Sequence, residues 1–180
     1  MSVNTIPHTW DTERLVMREL VDNEIHTVQA LYEQGGYISK WDGREFDTQY
    51  IHHCFTIGDL PPNGDKEHFK IQSIRVKETG IIAGLLIIYH GYPTPQTVYV
   101  TYLYIDQNYQ KQGLGQEVIN GLFIRLKRIG YGEVRANVAL KNWTALRFWI
   151  KLGLNSIGGI YGHKEHSADT YADVELIKYL

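Results

Sequence analysis

The segment Gln110-Lys111-Gln112-Gly113-Leu114-Gly115 constrains the architecture of this chain more than any other. It stands between an aromatic, β-branched run, Val98 to Ile105, and an amphipathic stretch, Leu114 to Ile129. That order reads as strand, glycine turn, helix. Such a junction leaves the first backbone N–H groups of the helix without partners, beside the positive end of its dipole. It is therefore a place to hold phosphate.

The rest of the composition sets bounds on this reading. A chain of 180 residues is expected to form a single domain, 1–180, with a real core. The formal net charge is −2, which gives no global attraction for nucleic acid or an anionic membrane. Cys54 is the single cysteine, so no internal disulfide forms, and a reducing cytoplasm is the expected location. No basic-then-apolar leader opens the sequence, and no signal peptide is expected. The longest apolar run, Ile81 to Tyr89, falls far short of the roughly 20 residues of a membrane span.

Along the chain, Leu15 to Leu20 reads as the first strand. Asp22 reads as the N-cap of a helix carrying Ile25, Val28 and Leu31, stopped by Gly35-Gly36. A short helix is expected near Thr48 to Ile57, and Pro61 to Gly64 is a loop. Phe69 to Val76 alternates like a half-exposed strand and should pair antiparallel with the more apolar Ile81 to Tyr89. In the second half Leu114, Val118, Leu122 and Leu126 recur every four residues, which marks the buried face of a helix ended by Gly130. Arg125, Lys127 and Arg128 read as its solvated face. Glu133 to Ala139 is the next strand. Asn142 caps a second helix stopped by Gly153, and Gly158 to Tyr161 and Asp173 to Tyr179 are closing strands.

Three phosphate motifs compete for the turn. A P-loop needs Gly-x-x-x-x-Gly-Lys-Ser/Thr, which is absent. The dinucleotide fingerprint begins at Gly113 and Gly115 but meets Val118 at its third glycine, although Glu133 lies about where a ribose-binding acid would sit. The third motif, Gln/Arg-x-x-Gly-x-Gly/Ala, is matched by residues 110–115 at every fixed position.

With this motif, the chain resembles the GNAT family of N-acetyltransferases. Asn142-Trp143-Thr144-Ala145, followed by Phe148-Trp149 and Lys151-Leu152-Gly153-Leu154, is similar to the family's second signature, and Thr12-Glu13-Arg14-Leu15 to a common first strand. The resemblance is strong from Val98 to Leu154 and uninformative from Tyr37 to Lys66. It implies an α/β (α+β) fold: a mixed, mostly antiparallel sheet of about seven strands, about four helices, and splayed central strands. It implies acetyl-coenzyme A as cosubstrate, no metal, and a primary amine of a small molecule or peptide as acceptor. A homodimer is an allowed assembly.

By the same resemblance, Gln110, Lys111, Gln112, Gly113, Leu114, Gly115 and Gln116 hold the pyrophosphate. Leu103, Tyr104 and Ile105 offer free backbone groups to the pantetheine arm, one of them polarising the thioester carbonyl; an ordinary paired strand is the alternative. Asn142 is a helix cap, a pantetheine contact, or both. Where many relatives carry a glutamate as base, this chain has Tyr99, a poor base when neutral. Glu13, Asp42, Glu45, and a water relayed by Tyr99 or Thr101 are the candidates in its place. Where many relatives carry a tyrosine that protonates the leaving thiolate, this chain has Trp149, read as coenzyme-side packing. Tyr104, Tyr109 or Tyr161 could supply a hydroxyl, so Tyr99 and Tyr104 stand as the catalytic candidates.

Six acids (Asp42, Glu45, Asp47, Asp59, Asp65, Glu67) against two bases (Arg44, Lys66) occupy residues 41–67. They are either a solvated loop or an acceptor wall that attracts a polyamine, an aminoglycoside or a basic peptide end. His52-His53 and His163-x-x-His166, with Glu165 and Asp169, lack the paired spacing of a zinc site and read as polar loops. Arg147 and Lys151 are candidates for the coenzyme's 3′-phosphate. Two rival functions remain: a GNAT-fold module that binds acetyl-coenzyme A without turnover, and a dinucleotide-dependent oxidoreductase.

Overall fold

The computed structural model describes residues 5–180, so the opening residues 1–4, which bear on the leader expectation, lie outside the described residues. Among the described residues eight strands form one sheet: β1 (Thr9–Asp11), β2 (Leu15–Glu19), β3 (Phe69–Val76), β4 (Ile82–His90), β5 (Thr97–Ile105), β6 (Glu133–Ala139), β7 (Ser156–Gly162) and β8 (Ala172–Tyr179). Their spatial order is β1-β2-β3-β4-β5-β6-β8-β7. Only β5 and β6 run parallel; the other pairs are antiparallel. The mixed, mostly antiparallel sheet is the expected one with one strand more. The addition is β1, three residues whose inward side chain is Trp10, too short to show a period of two.

The helices are α1 (Ile25–Gln34), a single turn α2 (Ser39–Asp42), α3 (Tyr50–Thr56), α4 (Leu114–Arg128) and α5 (Trp143–Lys151). Helices α4 and α5 cover one face of the sheet, where Val118, Ile119, Leu122 and Leu126 pack against Ile88, Val98, Val134 and Leu176. Full burial of such aliphatic side chains contributes about 1.5–3 kcal/mol each. Helices α1 and α3 cover the other face, with Val28, Ile51 and Cys54 against Ile71, Leu85 and Ile87. No helix of the described residues is long and apolar enough to cross a membrane.

Three local expectations are corrected. Asp22 is not a side-chain cap: it opens a 3-10 turn, Asp22–Glu24, and α1 begins at Ile25 with no capping bond. Strand β3 is not half-exposed. Gln72 and Ser73, on opposite faces, are both buried: Trp10 Nε1 of β1 donates to Gln72 Oε1 at 2.9 Å, and Ser73 Oγ donates to the Arg18 carbonyl at 3.4 Å. Arg125 is not merely solvated: its guanidinium lies 4.8 Å from the centre of the Trp10 ring and donates to the Asp11 carbonyl, so its stem closes the β1 edge.

Candidate functional site

Two irregularities in β5 build the site. Against β4 its register slips once: Tyr102 faces Ile87, but Val100 faces Ile88. Thr101 is thus the extra residue of a bulge. The slip reverses the alternation along the strand. Val98 and Val100 face the α4 side before it, and Leu103 and Ile105 face that side after it. Tyr99 and Tyr102 accordingly both turn to the α1 side.

Against β6 the pairing is brief. It runs only through Thr97↔Glu133, Val98↔Val134 and Tyr99↔Arg135, after which the two strands part. Asp106 N donates to Ala83 O at 2.8 Å across the β4 edge. Antiparallel alternation then sends the backbone bonds of Tyr104 and Tyr102 toward β4 as well, and turns the N–H and C=O of Leu103 and Ile105 into the gap. Of the three residues expected to offer free backbone groups, Leu103 and the N–H of Ile105 face the gap by this alternation, the Ile105 carbonyl is taken by Gln110, and Tyr104 faces β4.

The gap ends at the glycine turn. Gln110 Nε2 donates to the Ile105 carbonyl at 2.8 Å, which ties the turn to the end of β5 and explains the glutamine. Gly113 sits at φ +80° and Lys111 at φ +59°, left-handed conformations that glycine adopts without the β-carbon penalty. A β-carbon on Gly113 would meet only Arg14 Nη2, at 3.7 Å. Gly115 lies beneath the Phe148 ring. Leu114 is buried and Gln116 exposed in the first turn of α4.

Arg14 is a cation at this turn that sequence reasoning read only as part of a strand. Its Nη1 donates to Gln112 O at 3.1 Å and its Nε to Glu117 Oε2 at 2.6 Å. Glu117 also accepts from Thr12 Oγ1 and from Arg14 N. Burial alone would raise the Glu117 carboxyl, but these donors and the guanidinium hold it below the usual carboxylate value. Arg14 is therefore fixed in place beside the N-terminus of α4.

Asn142 caps α5: its side chain accepts from Ala145 N at 3.1 Å. Asn142→Ala is expected to cost about 1 kcal/mol of stability, read as a fall in melting temperature of about 2–4 °C. Trp149 is 7% exposed and packs edge-on against Phe148, within the core on the α4 face. Arg147 and Lys151 are exposed on α5.

On the α1 side, a cleft of about 340 Å³ opens over the split. Tyr32, Tyr50 and Phe46 form its aromatic wall, and Tyr99, Thr101, Tyr102 and Asn137 its floor. Tyr32 stacks on Tyr50 at 4.7 Å and on Phe46 at 5.2 Å. Asp42, Glu45, Asp47 and Asp59 line it, so four of the six acids of residues 41–67 face a cleft rather than open solvent. Asp65 instead caps a 3-10 turn through Glu67 N. A second cavity of about 440 Å³ continues from the first, sharing Asp59, Tyr99, Thr101 and Asn137 and adding Tyr161 and Glu175.

Glu175, on β8, was not foreseen. It is 6% exposed, accepts from the Tyr99 hydroxyl and pairs with Arg135 Nη1 at 3.0 Å. Burial pushes its carboxyl above the ordinary value. Arg135 also pairs with Glu133 at 2.7 Å, and Glu133 accepts from Thr97 Oγ1.

The structure does not bring the other candidates to this cleft. Glu13 is exposed between β1 and β2 and lines neither cavity. Tyr104 is buried on the α1 side beside Gly35 and lines neither cavity. Tyr109 packs against the core. Glu133 pairs across from Thr97 at the start of β5, roughly 26 Å along the strand from the glycine turn at about 3.3 Å per residue. It cannot serve as a ribose acid there, which removes the support for a dinucleotide enzyme. His53 pairs with Asp47 and His163 with the Tyr171 backbone. Among the described residues no three His, Cys, Asp or Glu side chains gather as a metal site.

The site is thus a parallel pair that parts beside a glycine turn, with an acidic cleft across the opening. Residues 26–154 match the Acetyltransferase (GNAT) family, and the chain belongs to that family. No curated protein matches the sequence. Among solved structures, an acetyltransferase from Thermus thermophilus is 17% identical with a TM-score of 0.67, covering 95% of this chain and 100% of the other. A GNAT-family acetyltransferase structure from Chromobacterium violaceum is 12% identical with a TM-score of 0.75, covering 99% and 90%. The ribosomal-protein-S18-alanine N-acetyltransferase of Escherichia coli is 13% identical with a TM-score of 0.66, covering 92% and 93%. At these identities the likeness is one of fold.

Proposed function

We propose that this protein is an acetyl-coenzyme A-dependent N-acetyltransferase whose acceptor is a primary amine of a small molecule or peptide. The observation that carries the reading is the split between β5 and β6. It frees the backbone of Leu103 and the N–H of Ile105 and runs directly into the Gln110–Gly115 turn, which holds the Ile105 carbonyl.

When bound, acetyl-coenzyme A supplies the activated acetyl thioester. The N–H groups of residues 112–115, the α4 dipole, Lys111 and Arg14 form the phosphate cradle. The Leu103 and Ile105 backbone aligns the pantetheine arm as an added strand would be aligned. One of those N–H groups polarises the thioester carbonyl. Gly115 lets Phe148 close over the turn, and Trp149 supports that ring from within the core. Asn142 holds the start of α5 and needs no further role.

The acceptor enters from the α1 side, where Asp42, Glu45, Asp47 and Asp59 favour a cation and the aromatic wall excludes water from an alkyl chain. Trp149 cannot donate a proton, but coenzyme A's thiol resembles that of cysteine, with a pKa of about 8.5, so its departure as thiolate at pH 7 costs only about 2 kcal/mol.

Titration calorimetry tests the cosubstrate assignment. Acetyl-coenzyme A should bind with a micromolar dissociation constant and NADH should not. Tight binding of NADH without coenzyme A binding would contradict it.

A further inference from the structure

The family position for a base holds Tyr99, so the proton of the acceptor ammonium needs another destination. We propose that Glu175 receives it, through the hydroxyl of Tyr99. This rests on the acetyltransferase reading above and names the proton path within the same site.

The placement follows from the strand geometry. Tyr99 is the last residue of β5 paired with β6, so its side chain stands where the two strands part. It lines both cavities, and Glu175 lines the second. The phenol donates to Glu175 Oε1, and Arg135 holds Oε2. The Tyr99 oxygen therefore keeps its lone pairs for a donor in the cleft, and an ammonium is such a donor.

The charge arrangement suits a proton acceptor. Arg135 stands between two carboxylates, Glu133 and Glu175. One guanidinium balances one of them. Protonation of Glu175 leaves Glu133 and Arg135 as a neutral pair, so the buried network loses its excess charge when the proton arrives. Glu133 is less suited, because the Thr97 hydroxyl and Arg135 both donate to its Oε1 and it lines neither cavity. Of the other acids, Glu45 is exposed, Asp42 accepts from Arg44 N at 2.9 Å and Asp59 from the Tyr50 hydroxyl at 3.0 Å. The Tyr99 hydroxyl donates to Glu175 and to none of these.

The step balances. The ammonium passes a proton to the Tyr99 oxygen as the phenol passes its own to Glu175. The freed nitrogen lone pair forms the C–N bond. The C–S bond breaks with its electron pair on sulfur, and the surplus proton on nitrogen goes to that sulfur. The products are the amide and the thiol, and Glu175 returns its proton to solvent.

Two small primary amines of unlike basicity test this: propylamine, a cation at neutral pH, and methoxyamine, largely the free base. Thiol release from acetyl-coenzyme A is followed for the unaltered protein, Glu175→Gln and Tyr99→Phe. Glu175→Gln preserves size but offers one acceptor oxygen in place of two, and Tyr99→Phe leaves the Glu175–Arg135 pair intact, so misfolding of one leaves the other informative. With propylamine both variants should lose about 100-fold or more, within the usual range for a general base. With methoxyamine, which has no such proton to surrender, the loss should be under about fivefold. Equal losses on both amines would make the pair merely structural and overturn the relay, as would unchanged rates with propylamine. No thiol release by the unaltered protein with either amine would contradict the acetyltransferase reading itself, and the relay with it.

Discussion

Gly113→Asp is expected to abolish acetyl-coenzyme A binding while leaving the protein folded. Gly113 adopts φ +80°, a conformation aspartate enters at a cost of about 1 kcal/mol. The space for a β-carbon is open, with Arg14 Nη2 at 3.7 Å as its nearest neighbour. The fold should accept the side chain, whose carboxylate would lie beside the Arg14 guanidinium without moving it. The carboxylate would then occupy the phosphate cradle. A like charge about 4 Å from a phosphate oxygen costs about 1 kcal/mol in water and about 4 kcal/mol near a protein surface. Loss of Arg14 to the new carboxylate adds to this. Affinity should fall at least 100-fold, equivalent to about 2.7 kcal/mol. Calorimetry reads the affinity and circular dichroism the fold. Gly113→Ala, which brings only the backbone cost, should lower stability by about 1 kcal/mol and weaken binding far less than Gly113→Asp does. Unchanged affinity in Gly113→Asp would mean that this turn does not hold the phosphates.

The second large effect is expected from Gly158→Ala. A β-carbon at Gly158 would overlap Glu175 Oε2 and lie 2.9 Å from Glu175 Cδ and Ile177 Cδ1. These are the ends of side chains, and Gly158 lies on β7, the edge strand of the sheet. The backbone need not move, but the carboxylate must leave its place between Tyr99 and Arg135. Stability should fall by about 1–3 kcal/mol, as for an added methyl group in a filled space. Acetylation of a protonated amine should fall about 100-fold with the dissociation constant for acetyl-coenzyme A unchanged. A parallel loss of cosubstrate affinity would show that the methyl group disturbs the split rather than the carboxylate.

Much of this fold was legible because local patterns carried it. The four-residue stripe from Leu114 to Leu126 is the buried face of α4, and Asn142 caps α5 through Ala145. Residues 110–115 were readable because a strand-to-helix turn with left-handed residues restricts residue types position by position. The bulge at Thr101 also left a trace. The aliphatic residues of β5 change phase, from Val98 and Val100 to Leu103 and Ile105, which a regular strand with one apolar face would not show. Strand β1 was missed because three residues carry no period, and the burial of Gln72 because it depends on Trp10 of β1.

The acceptor side was illegible for a different reason. Tyr99 and Glu175 are 76 residues apart, and only the pairing order of β5, β6 and β8 joins them. No spacing rule links a tyrosine on one strand to a glutamate on another. The acidic segment had a similar ambiguity. Its composition fits a solvated loop as well as a wall, and the packing of α1 against α3 turns Asp42, Glu45, Asp47 and Asp59 toward one cleft.

The most direct test of the account is thiol release from acetyl-coenzyme A across a panel of primary amines, including diamines, polyamines, aminoglycosides and basic peptides. The account predicts amine-dependent release, fastest with acceptors that carry a second positive charge to meet the acidic cleft. Tight binding of acetyl-coenzyme A with no release above background for any amine would contradict it and leave the protein as a binding module.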